Sequence, residues 1–200
     1  MTDSIPPITT AESVASGHPD KLCDAISDAI LDACLSIDPN ARVAVETLVK
    51  GVEGKAAIVL AGEVTLNGEA PDYEAVARDT AASIGYDDHT IGMDASSTDL
   101  CEVHTFITTQ SQYISQGVDG DIDSQGAGDQ GIMFGFACNE TEDTDELRGR
   151  YFPIAAALSQ RLTRRLDMIQ DTDEIPWIRP DGKSQVSVRL DGDRIENGDG

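Results

Sequence analysis

Residues 41–65 constrain the fold more than any other stretch. Ala41–Lys50 alternates, with Val43, Val45, Thr47 and Val49 on one face and Arg42, Glu46 and Lys50 on the other. After the loop Gly51–Lys55, Ala56–Thr65 repeats the pattern with more apolar residues. Alternation with a period of two marks a half-buried strand, and two such runs joined by a short loop pair as an antiparallel hairpin. Its apolar face needs a cover, and helical patterns on both sides can supply one. Leu22, Ile26, Ala29, Ile30 and Ala33 keep helical spacing from Pro19 to the stop at Asp38-Pro39-Asn40. Asp72 can cap a second helix through Ile84, with Tyr73, Val76, Ala77, Thr80 and Ala81 as its apolar beats and Gly85 as its stop. Sheets of hairpin strands packed with helices make this an α+β chain.

The later segments are mixed. Cys101–Thr109 reads as a strand, whereas Gln110–Gly128 has no period and reads as a mobile lid. Gly131–Ala137 is predicted as a short strand, followed by the acidic loop Asn139–Glu146. A helix over Ile154–Ile169 should bury Leu158, Leu162, Leu166 and Ile169 and leave Arg161, Arg164 and Arg165 solvated. Ile175–Pro180 reads as a rigid extended approach to the turn Asp181-Gly182, and Lys183–Leu190 as a strand. Asp191-Gly192-Asp193 then signals a hairpin whose return holds only Arg194-Ile195-Glu196. The expectation is that this chain is a fragment, or that the missing strands come from elsewhere.

Composition narrows the function. The 200 residues carry a formal charge of −23, which repels nucleic acid and anionic membrane surfaces, so neither is expected as a partner. No run approaches the roughly 20 apolar residues that span a bilayer, and Met1–Thr10 lacks the features of a secretion signal, so the expected location is the cytoplasm. Cys23, Cys34, Cys101 and Cys138 form no C-x-x-C pair and read as buried thiols. The acidic surface suits a salty medium.

Gly17-His18-Pro19-Asp20-Lys21 sets an imidazole, a carboxylate and an ammonium at the mouth of the first helix. The helix N–H groups and dipole suit a phosphate chain there, and Asp20 suits magnesium held against it. A helix cap and a first-turn acid explain the same residues, and both readings stay open. Glu46 and Glu63 are either solvated acids or a cation or ammonium site. Gly126–Gly131, containing Asp129, is either a ligand-contacting loop or a plain turn. Arg179–Lys183 is a charged turn or a nucleotide-reading one.

Taken together, Glu12–Lys21, Ala41–Thr47, Ala61–Thr65, Gln110-Ser111, Gly126–Gly135, Asn139–Thr141 and Pro176–Val186 resemble, in order and spacing, the motifs of the S-adenosylmethionine synthetases (methionine adenosyltransferases). The resemblance implies a transferase that joins ATP and L-methionine and then hydrolyses the triphosphate to pyrophosphate and phosphate. It implies His18 and Lys183 as catalytic residues, with His18, Asp181, Gly182 and Lys183 on ATP. Glu63, Gln110 and Asp129 fall on methionine-binding positions, Asp20 on a Mg²⁺ ligand and Glu46 on a K⁺ ligand, with two magnesium ions per site. The implied divisions are an N-terminal domain over 1–109, an active-site loop over 110–128 and a partial central domain over 129–200. The family's complete proteins are homodimers or homotetramers about twice this length, so residues 1–200 alone are expected to be inactive. Gln112-Tyr113 stands where the family has Pro-Asp. An inactive module with residual nucleotide or metal affinity and a bare triphosphatase are the alternative readings.

Overall fold

The computed structural model describes residues 8–109, 131–170, 172, 174–191 and 194–195, without the side chains from 190 onward. The candidates Gln110 and Asp129 and the loop 110–128 lie outside these residues. The elements are β1 (Ile8–Val14), α1 (Pro19–Ile37), β2 (Arg42–Val52), β3 (Lys55–Thr65), α2 (Tyr73–Ser83), β4 (Asp87–Asp88), β5 (Met93–Asp94), β6 (Cys101–Thr108), α3 (Ile154–Gln170), β7 (Lys183–Asp191) and β8 (Arg194–Ile195). They fall into two compact units, Pro19–Met133 and the pair of segments Met1–His18 and Phe134–Gly200.

In the unit Pro19–Met133, β2 and β3 form the predicted antiparallel hairpin, and β6 adds to β3 in parallel. Leu22, Ile26, Ile30 and Cys34 of α1 pack with Ala77 and Ala81 of α2 against Val45, Ile58, Leu60 and Cys101 of the sheet. The hydroxyls of Ser27 and Thr47 bond at 2.8 Å between helix and sheet. Gly62 has φ 154°, and a Cβ there would overlap the Ala44 carbonyl, so the hairpin's close approach requires glycine. Asp38, 7% exposed, accepts from the backbone N–H of Asn40 and Asn67 at 2.9 and 2.8 Å and closes α1 onto the turn after β3. Asp72 caps α2 as predicted, accepting from Ala75 N–H at 3.0 Å. The small β4–β5 hairpin has no counterpart in the sequence reading.

The other unit is built on a pairing that local periodicity does not reveal. β1 lies antiparallel to β7 from Ile8↔Arg189 to Val14↔Lys183. The partner missing from Lys183–Leu190 is thus the N-terminal strand, while β8 occupies the other edge. Helix α3 covers this sheet and buries Ile169 as predicted, but the rest of the buried side is not the predicted stripe. Ala155, Ser159 and Thr163 are buried, Leu158 and Leu166 are half-buried, and Leu162 is 51% exposed. Small residues let the helix sit close: Ser13 bonds Thr163 at 2.9 Å and Ser184 donates to the Ser159 carbonyl at 2.7 Å. Gly131–Ala137 is not a strand, because no described strand pairs with it and Ile132, Met133, Phe134 and Phe136 are exposed. Ile175–Pro180 is not extended throughout, since Ile178 N–H bonds the Ile175 carbonyl in a turn.

Candidate active site

The corner between β1 and α1 is fixed by three contacts, two to the segment Pro180–Gly182 and one to α3. Ala15 N–H donates to the Gly182 carbonyl at 2.8 Å. Gly17 is buried against Pro180, where a Cβ would come within 2.5 Å of the Pro180 carbonyl carbon and oxygen. Asp167 of α3 takes both the backbone N–H and the hydroxyl of Ser16, each at 2.9 Å. His18 follows directly, half-buried, its N–H bonded to the Ala15 carbonyl at 3.0 Å. The predicted ATP residues His18, Asp181, Gly182 and Lys183 therefore belong to one locally rigid cluster.

Lys183 opens β7 on the sheet face away from α3, and its Nζ lies 2.6 Å from a carboxylate oxygen of Glu12 on β1. Glu12 and Asp167 were missed as site-supporting residues. Glu12 stands inside a motif that carries the resemblance, but local pattern assigns no strand to Ile8–Val14. Asp167 gave no sequence signal, since an acid on the polar side of a helix is ordinary.

In the unit Pro19–Met133, Glu46 pairs in register with Ala61, and Glu63 with Ala44 and Thr108. Alternation puts Glu46 and Glu63 on the same face of the sheet, opposite α1, as diagonal neighbours. Glu46 is exposed and Glu63 half-buried. That face is open and partly apolar, with Leu48 57% and Phe106 64% exposed. Asp20 is exposed in the first turn of α1, where its charge complements the helix dipole. Among the described residues no group of three or more His, Cys, Asp or Glu side chains is arranged to hold a metal ion alone. None of their helices is long and apolar enough to cross a membrane.

Comparison with known proteins agrees with the motif order. Residues 7–112 match the family profile for the S-adenosylmethionine synthetase N-terminal domain, and residues 124–197 that for its central domain. An S-adenosylmethionine synthase of Nocardia farcinica is 47% identical over 196 residues, covering 92% of this chain and 45% of that protein. S-adenosylmethionine synthase 1 of Rhodopseudomonas palustris is 47% identical over 184 residues, with 92% and 44% covered. A Brachyspira hyodysenteriae S-adenosylmethionine synthase is 45% identical over 188 residues, with 90% and 44% covered. The chain thus spans less than half the length of these relatives. Two domain profiles matched in order along nearly all of it, on a fold that joins the glycine-histidine corner to the Asp181–Lys183 turn, establish that the chain belongs to the S-adenosylmethionine synthetase family.

Proposed function

We propose that the protein containing this chain makes S-adenosylmethionine from ATP and L-methionine in the cytoplasm. The observation that carries the reading is the fixed corner: Gly17 on Pro180 and Ala15 on Gly182 hold His18 beside the turn that presents Lys183. A rigid pair of cationic or proton-bearing groups suits a leaving polyphosphate, because preorganised donors need no rearrangement as charge develops.

In this mechanism the methionine sulfur lone pair forms the bond to ribose C5′ while the C5′–O bond breaks and triphosphate departs with the electron pair. His18 donates a hydrogen bond to the oxygen gaining charge, and Lys183 holds the phosphates as a point charge. Water then cleaves the triphosphate to pyrophosphate and phosphate. Asp181 and Gly182 shape the nucleotide turn, and Glu63, Gln110 and Asp129 bind methionine, Glu63 meeting its ammonium group. An exposed carboxylate at Asp20 fits Mg²⁺, which normally takes one or two protein carboxylates together with substrate oxygens. Glu46 offers an oxygen ligand to K⁺. When bound, these cations supply neutralisation of the triphosphate charge.

The open β2–β3–β6 face supports a homodimer or homotetramer, since Leu48 and Phe106 otherwise stay in water. The test is product formation by the full-length protein from ATP and methionine with Mg²⁺ and K⁺. His18→Asn or Lys183→Met should abolish it, and the 200-residue chain alone should be inactive. Phosphate release that does not depend on methionine would replace this reading with a triphosphatase.

A further inference from the structure

Helix α3 has a second organised face. Ala157, Gln160, Arg161 and Arg164, at spacings of three and four residues, line a cavity of about 340 Å³ together with Leu147, Arg150 and Phe152 from the preceding loop. Three guanidinium-bearing side chains thus surround one cavity in a chain whose net charge is −23 and which has ten arginines. Arg161 is balanced by Glu146 at 2.6 Å, whereas Arg150 and Arg164 make no ion pair among the described residues. Like charges gathered in one place are unfavourable unless something opposes them.

The loop that carries Arg150 is anchored from within. Glu142 accepts the N–H groups of Gly149 and Tyr151 at 2.9 and 3.0 Å, and these bonds hold its carboxyl below the usual range. The Thr141 hydroxyl accepts from Phe152 N–H at 3.2 Å, and Glu140 from Ile154 N–H at 2.9 Å. Tyr151, between the cavity residues Arg150 and Phe152, has φ 50°, a left-handed backbone that is strained for a non-glycine residue. Strain kept in place by four acidic and hydroxyl contacts, beside three arginines, has the form of a preorganised binding loop. Leu147, 2% exposed, and Ala157 form its apolar floor.

We propose that this cavity is a binding site for a small multivalent oxyanion, distinct from the cluster around Lys183. Arginine forks match phosphate and carboxylate groups bidentately, Gln160 adds an amide donor, and the volume lies in the range of small-ligand pockets. The occupant is a compact phosphate or carboxylate compound whose charges meet Arg150 and Arg164.

The experiment is calorimetric titration of the full-length protein carrying His18→Asn and Lys183→Met, so that the ATP site does not contribute. Pyrophosphate is one probe and citrate the other, at about 0.15 M KCl. A Kd below about 1 mM for either, weakened at least tenfold by adding Arg150→Gln and Arg164→Gln while the melting curve is unchanged, upholds the site. Pyrophosphate binding without citrate binding assigns it to phosphates, and binding of both assigns it to oxyanions generally. Replacing the two arginines by lysine should give an intermediate loss, and this milder pair decides the matter if the glutamine variants unfold. Binding of neither probe, or binding indifferent to these substitutions, overturns the proposal.

Discussion

Lys183 Nζ and a Glu12 carboxylate oxygen stand 2.6 Å apart across the β1–β7 pair, joining residues from the two ends of the chain on the face away from α3. Both side chains are about half exposed, 53% and 50%. Exposed pairs of this kind contribute about 0.2–1 kcal/mol. Lys183→Met should therefore move the melting temperature by only a few degrees. In the full-length protein it should remove product formation. A large fall in stability that accounts for the lost activity would show that Lys183 is structural.

Gly17→Ala should be far more damaging to the fold than its size suggests. The added methyl meets Pro180 backbone atoms at 2.5 Å, and backbone cannot yield as a flexible side chain does. Overpacking of this kind costs about 1–3 kcal/mol. Gly135→Ala is the control, since a Cβ there has nothing within 4 Å, and its effect should stay under about 0.5 kcal/mol. Urea unfolding of the two variants makes the comparison.

The helix α3 finding is testable in the same way. Leu162 is exposed, so Leu162→Ala should cost no more than about 0.5 kcal/mol despite its place in an apparent apolar stripe. Ala155 is fully buried, so Ala155→Leu should cost about 1–3 kcal/mol or more. Equal effects in thermal melting would contradict the observed packing.

Asp38 should make stability depend on acid. N–H donors from Asn67 and Asn40 hold its carboxyl below the ordinary value of 3.8. A depressed folded-state pKa contributes stability that is present above the unfolded value and lost as pH falls through the folded one. The stability difference between the protein and its Asp38→Asn variant should be constant from pH 7 to about pH 5 and shrink below 3.8. At the alkaline end, burial pushes the Cys34 and Cys101 thiols above 9.0, so their contribution is intact below pH 9 and declines as pH rises further. Chemical unfolding at stepped pH reads both limbs.

With a net charge of −23, self-repulsion should weaken the fold at low ionic strength. Melting temperature should rise from low to molar KCl as the Debye length falls from about 30 Å at 0.01 M to about 3 Å at 1 M. No rise would remove the idea of a surface suited to a salty medium.

Local pattern was sufficient where both signal and partner lie close in sequence. The β2–β3 hairpin, α1 beginning at Pro19 and α2 capped by Asp72 are all read from neighbouring residues, because alternation, helical spacing and capping are short-range physics. Motif order likewise carries the resemblance to the family, since each motif is a run of neighbouring residues. The tertiary structure alone decided that β1 pairs with β7, with Thr10 bonded to Ser187 at 2.8 Å, since no periodicity encodes a partner that distant. It also decided which side of α3 is buried: Ser159 and Thr163 face the sheet, where the Thr163 hydroxyl meets that of Ser13 and the Ser159 carbonyl accepts from the Ser184 hydroxyl, whereas hydrophobicity alone favours the leucines. Finally, it assigned Glu12 and Asp167 to the corner that carries His18 and Lys183. A carboxylate's role depends on which cation or N–H is brought within hydrogen-bond reach, and only the folded chain specifies that.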